Sequence, residues 1–529
     1  MRYLLHDDFL GSAKKYASKA AVIDEGGSST TYKELASLSN KFGNFLNSCF
    51  PEDKKANSLI GILSSVRAES IAAILGILQI GFAYVPLDEF SPTNRLQKII
   101  DSAGIKTVIV EAEQYERHRE LLDSGLIEKV LLIGKADFVV SPNVITYDIL
   151  LSSIDKDLPL LNQVSDDLAY VLHSSGSTGI PKGILLTHRN ARTFTDWMSK
   201  EFEIVSDDVI ASRAPFKFDL SVFDIFNTFK AGATLVCFDW NIKREGNNRH
   251  SDYVDLLSKY NVSVLYTTPS TFVSLMNRGK FGEADLNLRT IMYAGEPFPP
   301  AQLRKLMQVL PGTKVANIYG PTETNIITCY WLEDLPNADE PIPLGSVVDD
   351  TEIIVVNEEQ NICQANELGE LWCRGGTVTL GYLGMVEKTS QSLVDSPFHE
   401  YPVKFWKTGD FGFRDETGCL HYRGRKDHMV KVKGYRIELG EIERALGMME
   451  GLDEFAVIAV PDEKYSNRIY CYYSLLDTSI SSDDIRSFLS LEIAEYMLPY
   501  HYENLLSLPK TSSGKVDRVS LSALNFKKN

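Results

Sequence analysis

Short β-rich runs alternate with apolar helical stretches along most of this chain, and that alternation restricts its fold more than any other feature. Thr107-Val-Ile-Val110, Val130-Leu-Leu-Ile133 and Val262-Ser-Val-Leu-Tyr266 read as strands, and Ser70–Ile80 reads as a helix. Alternation of this kind calls for crossover units and mostly parallel sheets. The long apolar run from Ser70 to Leu87 is divided by Gln79, Gly81 and Pro86, so it reads as a buried helix followed by a buried strand, not a membrane span. The pattern changes after Asp427. Val430-Lys-Val-Lys433 reads as a strand, Leu439–Met449 as a helix, and Phe455-Ala-Val-Ile-Ala-Val460 and Ile469-Tyr-Cys-Tyr-Tyr473 as further strands, with helices around Asp483–Glu495. The expected architecture is α/β: a large N-terminal core domain over residues 1–427, built of several subdomains with mostly parallel sheets, and a small α+β C-terminal domain over residues 428–529.

A chain of 529 residues can bury more than one core. Its 54 basic and 71 acidic residues give a formal charge of −17, which argues against a nucleic-acid-binding surface but leaves room for a local basic site for a small anion. The seven cysteines include no CxxC pair and no cysteine–histidine cluster of zinc-site spacing, so buried thiols in a reducing cytoplasm are expected. The N-terminal Met-Arg-Tyr-Leu-Leu-His-Asp-Asp meets charge too early for a secretory signal. A cytoplasmic protein with no membrane partner is the expectation.

The segment Leu172-His-Ser-Ser-Gly-Ser-Thr-Gly-Ile-Pro-Lys-Gly183 gathers Ser174, Ser175, Ser177 and Thr178 among Gly176 and Gly179 and ends in Lys182. Hydroxyls, close backbone and a lysine suit the oxygens of a phosphate, although the spacing is not that of a Walker A loop. Further on stand Asn317-Ile-Tyr-Gly-Pro-Thr-Glu323, Gly369-Glu-Leu371, Gly381-Tyr382, Thr408-Gly-Asp410, Gly424-Arg-Lys-Asp427, Gly434-Tyr-Arg-Ile-Glu438 and Pro509-Lys-Thr-Ser-Ser-Gly-Lys515. Taken in order, the set resembles the core motifs of the adenylate-forming superfamily, which includes peptide-synthetase adenylation domains, acyl-CoA synthetases and luciferases. The resemblance runs from Thr31-Tyr-Lys-Glu-Leu35 to Lys515.

The resemblance implies ATP and Mg²⁺ as cofactors and assigns roles. The loop from Ser174 to Lys182 would hold the leaving β- and γ-phosphates, Thr322 would contact the α-phosphate, and Glu323 would ligate Mg²⁺. Tyr319 and Asn317 would face adenine, with Asp410 and Arg425 on the ribose. Tyr422 lies beside the nucleotide in relatives, yet Leu420-His-Tyr422 also reads as a half-buried strand. Lys515 would bridge substrate carboxylate and nucleotide as the acyl-AMP bond forms. In such enzymes the C-terminal domain is mobile. It rotates about the position of Asp427, removing Lys515 and bringing in the segment around Gly434, where a glycine leaves a narrow passage for a pantetheine arm. Phe218 matches an aromatic gate in that passage, with core packing as an equal alternative.

The block Phe216-Lys-Phe-Asp-Leu-Ser-Val-Phe-Asp224 places Asp219 where amino-acid-activating members pair the substrate's α-ammonium. A simple acid would leave that buried carboxylate uncompensated. The alternative is a local turn or cap residue. The family's pocket positions fall on Asp219, Leu220, Phe223, Tyr266, Met292, Ala294, Ile318, Ile326, Ile327 and Lys515. This mostly apolar set fits a small apolar amino acid and resembles free-standing prolyl-AMP ligases, while Met292, Ile318, Ile326 and Ile327 depart from those and leave valine or a proline analogue open. L-Proline loaded onto the phosphopantetheine of a separate carrier protein is the expected reaction, because no carrier domain or condensation motif is seen. D-alanine, another small amino acid, a CoA-linked acid and a silent adenylate-binding protein are the alternatives.

Overall fold

The structure is a computed structural model and describes residues 3–50, 58–158, 162–175, 181–239, 248–335, 340–425, 429–462, 466–476, 479–510 and 516–525. One sheet orders eight strands as Gly381–Tyr382, Lys182–Thr187, Leu168–Ser174, Ala83–Pro86, Leu59–Leu63, Thr107–Glu111, Lys129–Ile133 and Val144–Ile145. From Leu168–Ser174 onward every pairing is parallel. Val108, Ile109 and Val110 are consecutive and all fully buried, as strands covered on both faces must be.

The apolar run resolves into the helix Ala68–Gln79 and the strand Ala83–Pro86. A Cβ on Gly76 would stand 2.7 Å from the Ser39 carbonyl oxygen and 2.9 Å from the Gly43 nitrogen, so this helix packs backbone to backbone on the helix Tyr32–Cys49. Thr31 caps that second helix. Its hydroxyl accepts from the Glu34 N–H at 3.2 Å, and its own N–H donates to the Glu34 carboxylate at 2.8 Å.

A second sheet orders nine strands as Ser346–Val347, Thr328–Leu332, Lys314–Tyr319, Thr290–Tyr293, Val264–Thr267, Val209–Ser212, Thr234–Cys237, Ala20–Ile23 and Ser29–Thr31. The run from Lys314–Tyr319 to Ala20–Ile23 is parallel. Tyr266, Met292 and Ala316 stand in register, so Thr267, Tyr293 and Tyr319 end their strands along one carboxyl edge. Ligands of parallel α/β sheets bind at such an edge.

The sequence alternation did not anticipate a third sheet, which is antiparallel: Thr351–Val356, Gly369–Gly375, Lys404–Arg414 and Leu393–Asp395, with Leu420–Arg425 also on Lys404–Arg414. After it come a hairpin, Met429–Val432 with Tyr435–Glu438, and a sheet of Leu452–Asp462, Ser466–Leu475 and His501–Asn504. The helices Leu439–Leu446 and Ser482–Glu492 close over that sheet on a separate core that includes Ile442, Val457, Cys471 and Leu489. The architecture is mixed α/β, a large N-terminal domain with parallel sheets and a small C-terminal domain. Among the described residues no helix is long and apolar enough to cross a membrane. The seven cysteines are free thiols, of which Cys237, Cys373 and Cys471 are buried while Cys49, Cys329, Cys363 and Cys419 are partly exposed.

Candidate active site

Asp219 opens a short helical turn, Leu220–Val222, that widens into the π-helical turn Phe223–Asn227. It is the first residue of that turn, its carbonyl accepting from the Val222 N–H at 2.9 Å, but its side chain makes no cap hydrogen bond to it. The carboxyl instead faces a cavity of about 420 Å³ shared with Leu220, Tyr266, Ala294, Thr322 and Ile326. Burial pushes it up to about 6, against the pull of the Lys431 charge. Phe223, Met292 and Ile327 were expected to line the same space but do not: all three are fully buried in the core behind it. Phe223 supports the wall, its ring meeting Tyr266 edge-on at 5.5 Å.

A neighbouring cavity of about 540 Å³ is lined by Asn317, Ile318, Tyr319, Tyr422 and Lys431, which puts Ile318 here and not beside Asp219. Tyr422 lines this cavity and also packs against the main core. The Asn317 amide donates to the Pro343 carbonyl at 2.7 Å. The Tyr319 hydroxyl donates to one oxygen of Asp410 at 2.6 Å, and the Arg425 guanidinium donates to the other at 2.7 Å. Arg425 also reaches the Thr408 carbonyl at 3.2 Å, which fixes its plane. Lys431 lines both cavities, and burial lowers its ammonium pKa against the opposing pull of Asp410.

Charge concentrates around a third space of about 460 Å³ that includes Lys182, Glu323, Lys388, Arg436 and Glu438. Buried Lys182 forms an ion pair with Glu438. Glu323, also buried, accepts from the Tyr382 hydroxyl at 2.8 Å and from Arg436 at 2.5 Å. Burial would raise its pKa, but the Arg436 charge and these bonds hold the carboxyl below its usual range. Burial and the Lys182 charge bring Lys388 down to about 8. The Ser175 hydroxyl donates to the Arg436 carbonyl at 2.9 Å and accepts from the Glu438 N–H at 3.0 Å. The Ser174 hydroxyl is buried at the adjoining strand end.

Phe218 and Gly434 meet at the first cavity. Gly434 sits at φ +82°, and a Cβ there would stand 2.5 Å from Thr268 Cγ2, so both conformation and space demand glycine. Its N–H donates to Glu296 at 3.3 Å.

The structure thus gathers Asp219, Leu220, Tyr266, Ala294, Ile326, Thr322, Phe218, Gly434, Asp410 and Arg425 at one cavity, and Asn317, Tyr319 and Tyr422 at its neighbour, with the Tyr319 hydroxyl linking the two through Asp410. Gly176, Ser177, Thr178, Gly179, Asp427 and Lys515 lie outside the described residues. Sequence reasoning gave no role to Lys431, Arg436, Glu438 or Tyr382, the last quoted only within the motif Gly381-Tyr382. Arg436 and Glu438 lie inside a motif it did quote, but their partners are 113 and 256 residues away.

Family models of the AMP-binding enzymes match residues 9–383, and those of the AMP-binding enzyme C-terminal domain match residues 441–515. An L-proline–[L-prolyl-carrier protein] ligase of Pseudomonas fluorescens is 31% identical over 98% of this chain and 99% of its own length. A D-alanine–D-alanyl carrier protein ligase of Bacillus cytotoxicus is 31% identical over 93% of this chain and 94% of its own. The chain spans only 8% of the length of bacitracin synthase 3 of Bacillus licheniformis, at 29% identity over 98% of itself. The fold matches that of the amide bond synthetase McbA from Marinactinospora thermotolerans with a TM-score of 0.87 and 20% identity, covering 98% of this chain and 99% of that one. The chain belongs to the AMP-binding enzyme family, the adenylate-forming ligases.

Proposed function

We propose that the chain activates L-proline as its adenylate and passes the acyl group to the phosphopantetheine thiol of a separate carrier protein. The Asp219 carboxyl, set beside Leu220, Tyr266, Ala294 and Ile326 at a cavity that Arg425 and Lys431 also line, carries the amino-acid part of this reading. An α-ammonium supplies the cation that a desolvated carboxylate needs. Leu220, Ala294 and Ile326 offer no partner to a charged or amide side chain, which favours a small apolar amino acid. The relative named for L-proline supports proline. The relative named for D-alanine, equally similar at 31%, makes D-alanine the second reading.

In the first half-reaction a carboxylate oxygen attacks the α-phosphorus of ATP and the bond to pyrophosphate breaks. Lys182 and the hydroxyls of Ser174, Ser175, Ser177 and Thr178 would hold the leaving phosphates, and Thr322 the α-phosphate. Lys515 would stabilise charge where the new bond forms. Tyr319 and Asn317 would orient adenine, and Asp410 with Arg425 the ribose. Glu323 fits Mg²⁺ as a hard oxygen ligand once Arg436 releases it, and the ion would neutralise phosphate charge. In the second half-reaction the thiol sulfur attacks the acyl carbon, AMP leaves, and the thiol proton passes to solvent. A hairpin docked with Gly434 at the cavity wall suits this step, since a thin pantetheine chain can pass only where no side chain projects. The small domain would then turn about Asp427 between the two steps.

The test is ATP–pyrophosphate exchange at subsaturating L-proline, D-alanine, valine, pipecolate and des-amino analogues. L-Proline should give the highest kcat/KM. Preference for D-alanine would replace proline with the second reading, and preference for a des-amino acid would overturn the amino-acid assignment.

A further inference from the structure

Lys217 lies two residues before Asp219, and its ammonium is enclosed. Nζ stands 2.7 Å from Asp88 Oδ1, with both side chains at or below 10% exposure. Asp88 is itself anchored, accepting from the Ser91 hydroxyl at 2.8 Å and from the Phe90 N–H at 3.2 Å. Aromatic rings make up the other sides. Nζ is 4.5 Å from the ring centre of Tyr496, 4.8 Å from Tyr435, 5.4 Å from Phe218 and 6.0 Å from Phe90. Tyr435 and Tyr496 stack at 3.8 Å, and Phe218 meets Tyr435 edge-on at 5.0 Å.

The rings come from both ends of the chain. Phe90 and Phe218 belong to the N-terminal part, Tyr435 to the strand that follows Gly434, and Tyr496 to the short turn Glu495–Met497. A desolvated ammonium over aromatic faces is attracted far more strongly than a hydrated one. Lys217 and Asp88 can pair without the small domain, but the cation gains its two nearest rings, Tyr496 and Tyr435, only when that domain is docked. Tyr435 also packs on Phe218, beside the cavity that holds Asp219.

We infer that Lys217 is a positioning residue for thiol transfer: its aromatic cage fastens Tyr435 against Phe218 and so sets the passage through which a thiol reaches the acyl group. The inference rests on the two-step reading proposed above.

The experiment uses the full chain with ATP, L-proline and free pantetheine as the thiol, and reads pyrophosphate exchange and thioester formation separately. Lys217→Met and Tyr496→Leu probe the cage from opposite sides, so each variant checks the other should one fold poorly. Each should slow single-turnover thioester formation about tenfold or more, with exchange falling far less. Lys217→Arg should restore most of the rate, and the double variant should be no slower than the slower single one. Parallel loss of exchange and thioester formation, additive losses in the double variant, or a normal thioester rate in Lys217→Met would overturn the cage. A parent that exchanges pyrophosphate with no amino acid would remove the two-step reading and the inference together.

Discussion

At the scale of single residues, the unusual basicity of Asp219 sets a pH dependence. Its carboxyl is raised to about 6, so below that pH the free enzyme carries the neutral acid, which cannot pair with an ammonium. For an amino acid, kcat/KM should therefore be flat above pH 6 and fall about tenfold per unit below it, because binding must first expel a proton. Asp219→Ala should lower kcat/KM by about two to four orders of magnitude, since a buried ammonium without its partner loses about 3–5 kcal/mol, and should erase this acid limb. A pH profile of pyrophosphate exchange for both proteins checks the prediction. Lys515→Ala should abolish adenylate synthesis yet leave transfer from pre-made acyl-AMP comparatively intact, and equal loss of both would refute its assigned role. Asp219, Glu323 and Asp410 were legible because each stands in a motif whose chemistry can be stated. Arg436 on Glu323 and Glu438 on Lys182 were not, because a salt bridge leaves no local pattern when its partners come from distant segments.

At the scale of elements, close backbone approach decides where substitution fails. Gly76→Ala would place a methyl 2.7 Å from the Ser39 carbonyl and should force the helices Ala68–Gln79 and Tyr32–Cys49 apart. Overpacking of this kind costs about 1–3 kcal/mol, more than the roughly 1 kcal/mol that alanine gains in helix propensity, so thermal unfolding should shift down. Gly434→Ala meets both Thr268 and an unfavourable φ, so it should disturb hairpin docking and lower thioester formation more than pyrophosphate exchange. The parallel sheets were readable because strands buried on both faces are nearly all Val, Ile and Leu. The antiparallel sheet of Thr351–Val356 and its neighbours was not, since strands with one face toward solvent, such as Lys404–Arg414, mix charges with apolar residues and carry no continuous run. Likewise the pocket positions Met292 and Ile327 could be placed near the site from the sequence, but which side of the wall they occupy depends on how the surrounding core packs.

At the scale of the whole molecule, the proposed swing about Asp427 is open to a direct test. Asp427→Pro would fix φ near −65° and restrict rotation. Pyrophosphate exchange should persist while thioester formation falls steeply, and normal thioester formation would place the pivot elsewhere. The contacts of the docked hairpin carry a further consequence for timing. Arg436 occupies the carboxylate of Glu323, and Glu438 occupies Lys182, the same two groups that a polyphosphate and its cation would claim. On the proposed mechanism, hairpin and polyphosphate would be rival tenants of one pair of charges, and the enzyme would not admit the thiol while it still held pyrophosphate. In a single turnover followed in real time, the thioester should appear only after a lag set by pyrophosphate release, and Glu438→Gln should lengthen that lag. Thioester appearing before free pyrophosphate would show that the two do not compete. On this reading, departure of the first product would be the event that opens the door to the second substrate.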